Sequence, residues 1–153
     1  MRSVPPESGV PSAPSLGTDD CAECRTGSLK DHLSGLMGPI SRGSRDAFVT
    51  LFDHTRDAIR AGIGSRLPDP RCAAAVFAAT YVEVWWLAGC NTGPDADVLA
   101  WIDRIAERRS TEAQPNPPGD DALGPQHLRA VLELSSLLGR PVDPLTNLDP
   151  GRC

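Results

Sequence analysis

The sharpest metal-binding signal in the chain is Cys21-x-x-Cys24 with His32 downstream, because paired thiolates at that spacing can chelate one zinc ion. A second ligand pair at matching spacing is missing, so these thiols are expected to stay unliganded. With Cys72, Cys90 and Cys153 the cysteines are odd in number and scattered, which argues for reduced thiols over a disulfide framework. Cys72 reads as a small apolar residue. His54 and His127 each stand alone among their helix neighbours and read as solvated or hydrogen-bonded imidazoles. There is no Gly-rich phosphate loop, nucleophile elbow, HExxH or carboxylate pair on a recognisable scaffold. The expectation is a protein that is not an enzyme and holds neither metal nor cofactor. What stands out instead is a concentration of cation, Arg104, Arg108 and Arg109, which at a helix end would also complement the helix dipole.

The chain that must position these groups has 153 residues, near the length of one ordinary domain. Its 15 Lys and Arg against 20 Asp and Glu give a formal net charge of -5, so it is no polycation and any nucleic-acid contact must be local. The 14 Gly and 15 Pro imply that part of it is unstructured. The opening MRSVPPESGVPSAPS has neither the apolar run nor the cleavage site of a signal peptide, and the expected compartment is the cytoplasm. The most apolar stretch, Cys72 to Ala88, is short for a bilayer and carries Glu83, so it reads as a buried helix with no membrane partner.

Residues 1–43 are dense in Pro, Ser and Gly and are expected to form a mobile tail. A short helix is conceivable at Leu29, Leu33 and Leu36, weakened and ended by Gly35 and Gly38. Ser44 caps a first amphipathic helix with Phe48, Leu51, Phe52, Ile59 and Ile63 on one face, expected to stop near Gly62 and Gly64. Asp69-Pro70 opens a second, running to about Ala88, whose stripe of Val76, Phe77, Tyr81, Val84, Trp85 and Ala88 marks it as the most buried. After the loop GCNTGPD, Asp95 or Asp97 caps a third helix with Val98, Ile102, Ile105 and Ala106 on one face, Trp101 beside them and the arginines in its last turn. Residues 113–122 read as a linker, and Pro125 opens a last helix with Leu128, Val131, Leu132 and Leu138 in step, ended by Gly139 and Pro141. No strand pattern appears. The fold class is all-α, a three-helix bundle over 44–112 with a disordered N-terminal tail and an appended C-terminal helix in 123–153.

Three pieces in order, Ala47-Phe48 with Leu51-Phe52-Asp53, then Asp69-Pro70 with Tyr81-Val82-Glu83-Val84-Trp85, then Ala100-Trp101-Ile102 with Ile105-Ala106 and Arg108-Arg109, resemble region 2 of the sigma-70 family, specifically the extracytoplasmic-function (ECF) sigma factors. The resemblance covers residues 44–110. It implies a transcription initiation factor that docks on the clamp helices of RNA polymerase core and helps open promoter DNA at the minus-ten element. Trp86, Asn91, Arg104, Arg108 and Arg109 would then hold melted single strand through stacking and local charge, whereas Trp85 and Trp101 belong to the core. The family grips polymerase through acidic and amide residues early in its second helix; here those positions are Ala74, Ala75, Ala78 and Ala79, with Glu83 beyond them. A smooth apolar face in place of a polar one implies weakened polymerase docking or another partner, such as an anti-sigma protein. An exposed alanine patch would favour a protein-interaction module over a promoter-recognising factor. Leu123, Pro125, Arg129 and Val131-Leu132-Glu133-Leu134 are similar to the opening of sigma region 4, but Cys153 comes too soon for a recognition helix, so minus-35 recognition is not expected. The same segment could equally pack on the region 2-like core.

Overall fold

The computed structural model describes residues 21–93, 95–114 and 125–142. Among them the chain forms five α-helices: α1 (Cys21–Ser41), α2 (Arg45–Arg66), α3 (Pro70–Leu87), α4 (Val98–Ala113) and α5 (Pro125–Leu138), with a 3-10 turn at Ala88–Cys90 and no strand. The all-α expectation holds.

The helix starts follow from side-chain acceptors at the N-caps. Ser44 Oγ accepts from Ala47 N at 3.3 Å, an Asp69 carboxylate oxygen accepts from Arg71 N at 3.0 Å with Pro70 following, and Asp97, rather than Asp95, accepts from Ala100 N at 3.0 Å. Helix ends are less local. α2 does not stop at Gly62 or Gly64 but runs to Arg66, because Ile63 and Leu67 are buried and Arg66 makes a two-pronged bond to Asp103 of α4 at 3.0 and 3.1 Å. α4 passes Arg109 and reaches Ala113, so the arginines lie within the helix and not at its terminus.

The described part of the expected mobile tail is helix. In α1, Leu33, Met37 and Ile40 are buried at the spacing of one helix face, whereas Leu29 is exposed. Burial of three apolar side chains outweighs the weak helix propensity of Gly35 and Gly38. Gly43, at φ 89°, takes the left-handed conformation that lets the chain reverse into α2. Residues 1–20 and most of the expected linker lie outside the described residues.

α3 is the central element and packs on α1, α2, α4 and α5. On its α2 side, Phe77 and Tyr81 meet Phe52 edge to face, with ring centroids 5.9 and 4.8 Å away. Thr55 spends its hydroxyl proton on the Leu51 carbonyl at 2.8 Å, so the Tyr81 hydroxyl, 2.8 Å from Thr55 Oγ1, is the donor between them. Trp85 packs edge to face on Phe48 at 5.3 Å, and both Trp85 and Trp101 are partly buried against the core. α3 is also long and apolar enough to cross a membrane, but over half of that stretch is buried inside the fold, as in the core helix of a bundle. In α5 the core-facing residues are Leu134, Leu137 and Leu138, while Leu128 and Leu132 point outward, so the expected stripe is rotated.

Met37→Ala should lower unfolding stability by about 2–5 kcal/mol in urea titrations, the cost of deleting a fully buried large side chain; a parent-like midpoint would mean that α1 is not part of the core. Burial holds the Tyr81 phenol well above the ordinary tyrosine range. Keeping it neutral therefore contributes stability in full below about pH 10, the ordinary value, and that contribution disappears as pH rises further. Tyr81 is the single tyrosine of the chain, so phenolate absorbance should appear only together with unfolding and not as a separate lower-pH transition.

Candidate functional site

A groove of about 420 Å³ runs between α3, α4 and α5. Its floor is Ala75, Val76, Ala79 and Val82 of α3; its charged rim holds Glu83, Arg109, Arg129 and Glu133, and Trp86 closes one end. Small side chains on α3 are what let α5 approach this closely.

Glu83 is the group that organises the rim. It is one of two charged residues in α3, the other being Arg71 near the start. Its carboxylate, largely shielded from solvent, takes a hydrogen bond from Arg109 Nε at 2.8 Å and a second ion pair from Arg108. Two of the three arginines expected on DNA are thus tied to α3, while Arg104 is exposed and makes no ion pair among the described residues. Trp86 is 69% exposed, and its indole Nε1 donates to Glu133 Oε1 of α5 at 3.1 Å. Asn91 lies apart, where the loop after α3 meets α1, and its side-chain nitrogen is buried without a hydrogen-bond partner. Ser34 Oγ donates to the Gly93 carbonyl at 3.1 Å, joining α1 to that loop.

The alanines expected to form a docking face are largely covered. Ala74, Ala75 and Ala78 are buried and Ala79 is partly buried; α5 packs along α3, and Ala75 and Ala79 line the groove beside it. The discriminating feature of a protein-interaction module, an open alanine patch, is therefore absent among the described residues. Residues given two separate roles, Trp86 and Arg109 for DNA and Ala75, Ala79 and Glu83 for a partner, instead share one groove.

Sequence reasoning missed the far side of this groove. Glu133, through the Trp86 indole, and the Arg140 ion pair with Asp53 of α2, in which Arg140 also lies over the Phe52 ring at 5.9 Å, tie α5 in place, while Arg129 lines the rim. A signal existed for Glu83: one carboxylate in an otherwise apolar helical run requires a cation nearby, and Arg108-Arg109 is the obvious source. The side chains of Cys21, Cys24 and His127 lie outside the described residues, and no cluster of three or more His, Cys, Asp or Glu suited to a metal occurs among those described.

Comparison with curated proteins finds relatives of one kind. The chain is 32% identical over 82 residues, 54% of its length and 44% of the relative's, to the ECF RNA polymerase sigma factor SigK of Mycobacterium ulcerans (strain Agy99). It is 28% identical over 80 residues, 52% of its length and 42% of the relative's, to the protein of the same name from Mycobacterium sp. (strain KMS). About half of the chain is related to ECF sigma factors. The match spans less than half the length of these relatives. No family model matches the chain, and no solved structure does.

The Glu83 rim yields a direct test. In a double-mutant cycle of Glu83→Gln with the pair Arg108→Ala and Arg109→Ala, thermal unfolding should show a coupling of about 1 kcal/mol at low salt that shrinks as salt is added. Additive effects would show that the ion pairs do not hold α3 to α4 in solution.

Proposed function

We propose that the chain acts as a sigma-like transcription initiation factor, without enzymatic activity, that binds RNA polymerase core and contacts the melted minus-ten strand of promoter DNA in the cytoplasm. The observation that carries this reading is the sequence relation to ECF sigma factors over about half the chain. The ordered motifs behind it fall on α2, α3 and α4, which pack on one another through the aromatic and aliphatic core.

In this reading α3 is the polymerase-facing helix, and α5 occupies its alanine side in the free chain. Docking on the clamp helices through those alanines proceeds with α5 displaced, and an anti-sigma protein reaching the same face meets the same obstacle. Arg104 and Trp86 are the exposed groups best suited to the single strand, Arg104 as free charge and Trp86 as a stacking platform once it is released from Glu133. Arg108 and Arg109 hold Glu83 in the free chain and add to DNA binding only by exchanging that carboxylate for phosphate. The net charge of -5 opposes approach to DNA, so binding by the chain alone is weak and polymerase supplies most of the affinity.

A salt titration of binding to a minus-ten-like single strand, with and without polymerase core, tests this. Arg104→Ala leaves every ion pair described above intact, so it should lower affinity without altering the melt. It should also flatten the slope of log affinity against log salt by about 0.7, the share of one phosphate that is no longer neutralised. Identical curves for parent and variant, unaffected by core, would contradict the promoter-binding reading.

A further inference from the structure

His32 and His54 are 22 positions apart in the sequence and stand on different helices, yet α1 and α2 bring their rings together, with centroids 5.3 Å apart and planes inclined at 79°. Both residues are exposed. Late first-row transition ions bind imidazole nitrogen at about 2.0–2.1 Å, which puts the ring centroids of two histidines on one tetrahedral ion about 5 Å from each other. The observed separation matches that spacing. Both rings stand at the surface outside the hydrophobic core, so turning them toward a shared ion leaves the core residues in place.

We propose that His32 and His54 form a two-imidazole site for a divalent transition ion, zinc in the first place, that clips α1 to α2. The chain supplies two ligands, since no third His, Cys, Asp or Glu converges with them among the described residues. Water fills the remaining positions, and the open side faces solvent. The ion acts on the one helix whose own sequence favours helix least: α1 carries Gly35, Gly38 and Pro39 and is held by Leu33, Met37 and Ile40 together with the Ser34 bond to Gly93. Bridging it to α2 stabilises the docked state by mass action, because the two imidazoles are brought together only when α1 is in place. Such a clip is independent of any role in transcription.

The test uses zinc ion and the full chain under reducing conditions. Calorimetric titration should show one equivalent bound to the parent. Zinc at about a hundredfold excess over its dissociation constant should raise Tm by about 5–10 °C. His32→Gln and His54→Gln should each melt like the parent without metal. Each should lose affinity at least about tenfold, together with most of the Tm shift, because one remaining imidazole is an ordinary surface ligand. A Cys21→Ser, Cys24→Ser variant separates this site from binding by thiols and should keep the shift. No stoichiometric binding by the parent, parent-like binding by either histidine variant, or loss of the shift only in the cysteine variant would overturn the proposal.

Discussion

A helix as apolar as α3 stays in water only if neighbours enclose it, and that requirement shapes the rest of the molecule. Its aromatic side, Phe77 and Tyr81, is filled by Phe52 of α2; its remaining sides are taken by α4, α1 and α5. The side chains differ in size by side, and that difference decides which partner fits where. Large rings interlock with other rings at edge-to-face distances, while alanines leave a shallow surface that a further helix can approach closely. Glu83 obeys the same requirement in another form: a carboxylate on this helix is retained where two arginines of α4 reach it.

For the proposed sigma-like role the consequence is competition. The surface proposed to meet polymerase is the surface that α5 occupies, and two of the three arginines proposed to meet phosphate, Arg108 and Arg109, already have a carboxylate. α5 is held by three kinds of contact: Leu134, Leu137 and Leu138 in the core, Trp86 to Glu133 across the groove, and Arg140 to Asp53 at its far end. Two of these are exposed polar ties, each worth little in water. The apolar contacts are the main barrier to release, and an incoming partner with its own apolar groups can replace them. The expected resemblance of the α5 segment to the opening of sigma region 4 and its packing on the bundle are compatible, since the same helix can serve as a cover in one state and be released in another.

What was legible in the sequence is what is decided locally. Ser44, Asp69-Pro70 and Asp97 cap helices because a side-chain oxygen next to free backbone N–H groups is a short-range arrangement. The faces of α2, α3 and α4 were legible because their apolar residues recur at helical spacing over several turns. α1 was not, because its helix depends on Leu33, Met37 and Ile40 finding a core made by distant residues, while Gly35 and Gly38 speak against it locally. The face of α5 is ambiguous in the sequence: Leu128 and Leu132 continue the periodicity as well as Leu134 and Leu138 do, and only the position of α3 decides between them. That the alanine face is apolar and small is legible in the sequence, but whether such a face is open or covered is a property of the whole fold. The His32–His54 pair belongs to the same class, a contact across two helices that no spacing rule reaches.

If α5 covers the face of α3 through which polymerase docks, binding of core must uncover α5. Amide hydrogen exchange of the full chain, alone and with saturating RNA polymerase core, tests this most directly. In the free chain, amides of residues 74–79 and 130–138 should be protected together. With core bound, residues 130–138 should lose protection while residues 74–79 keep it. Protection of residues 130–138 that is unchanged or increased in the complex would contradict a covering role for α5.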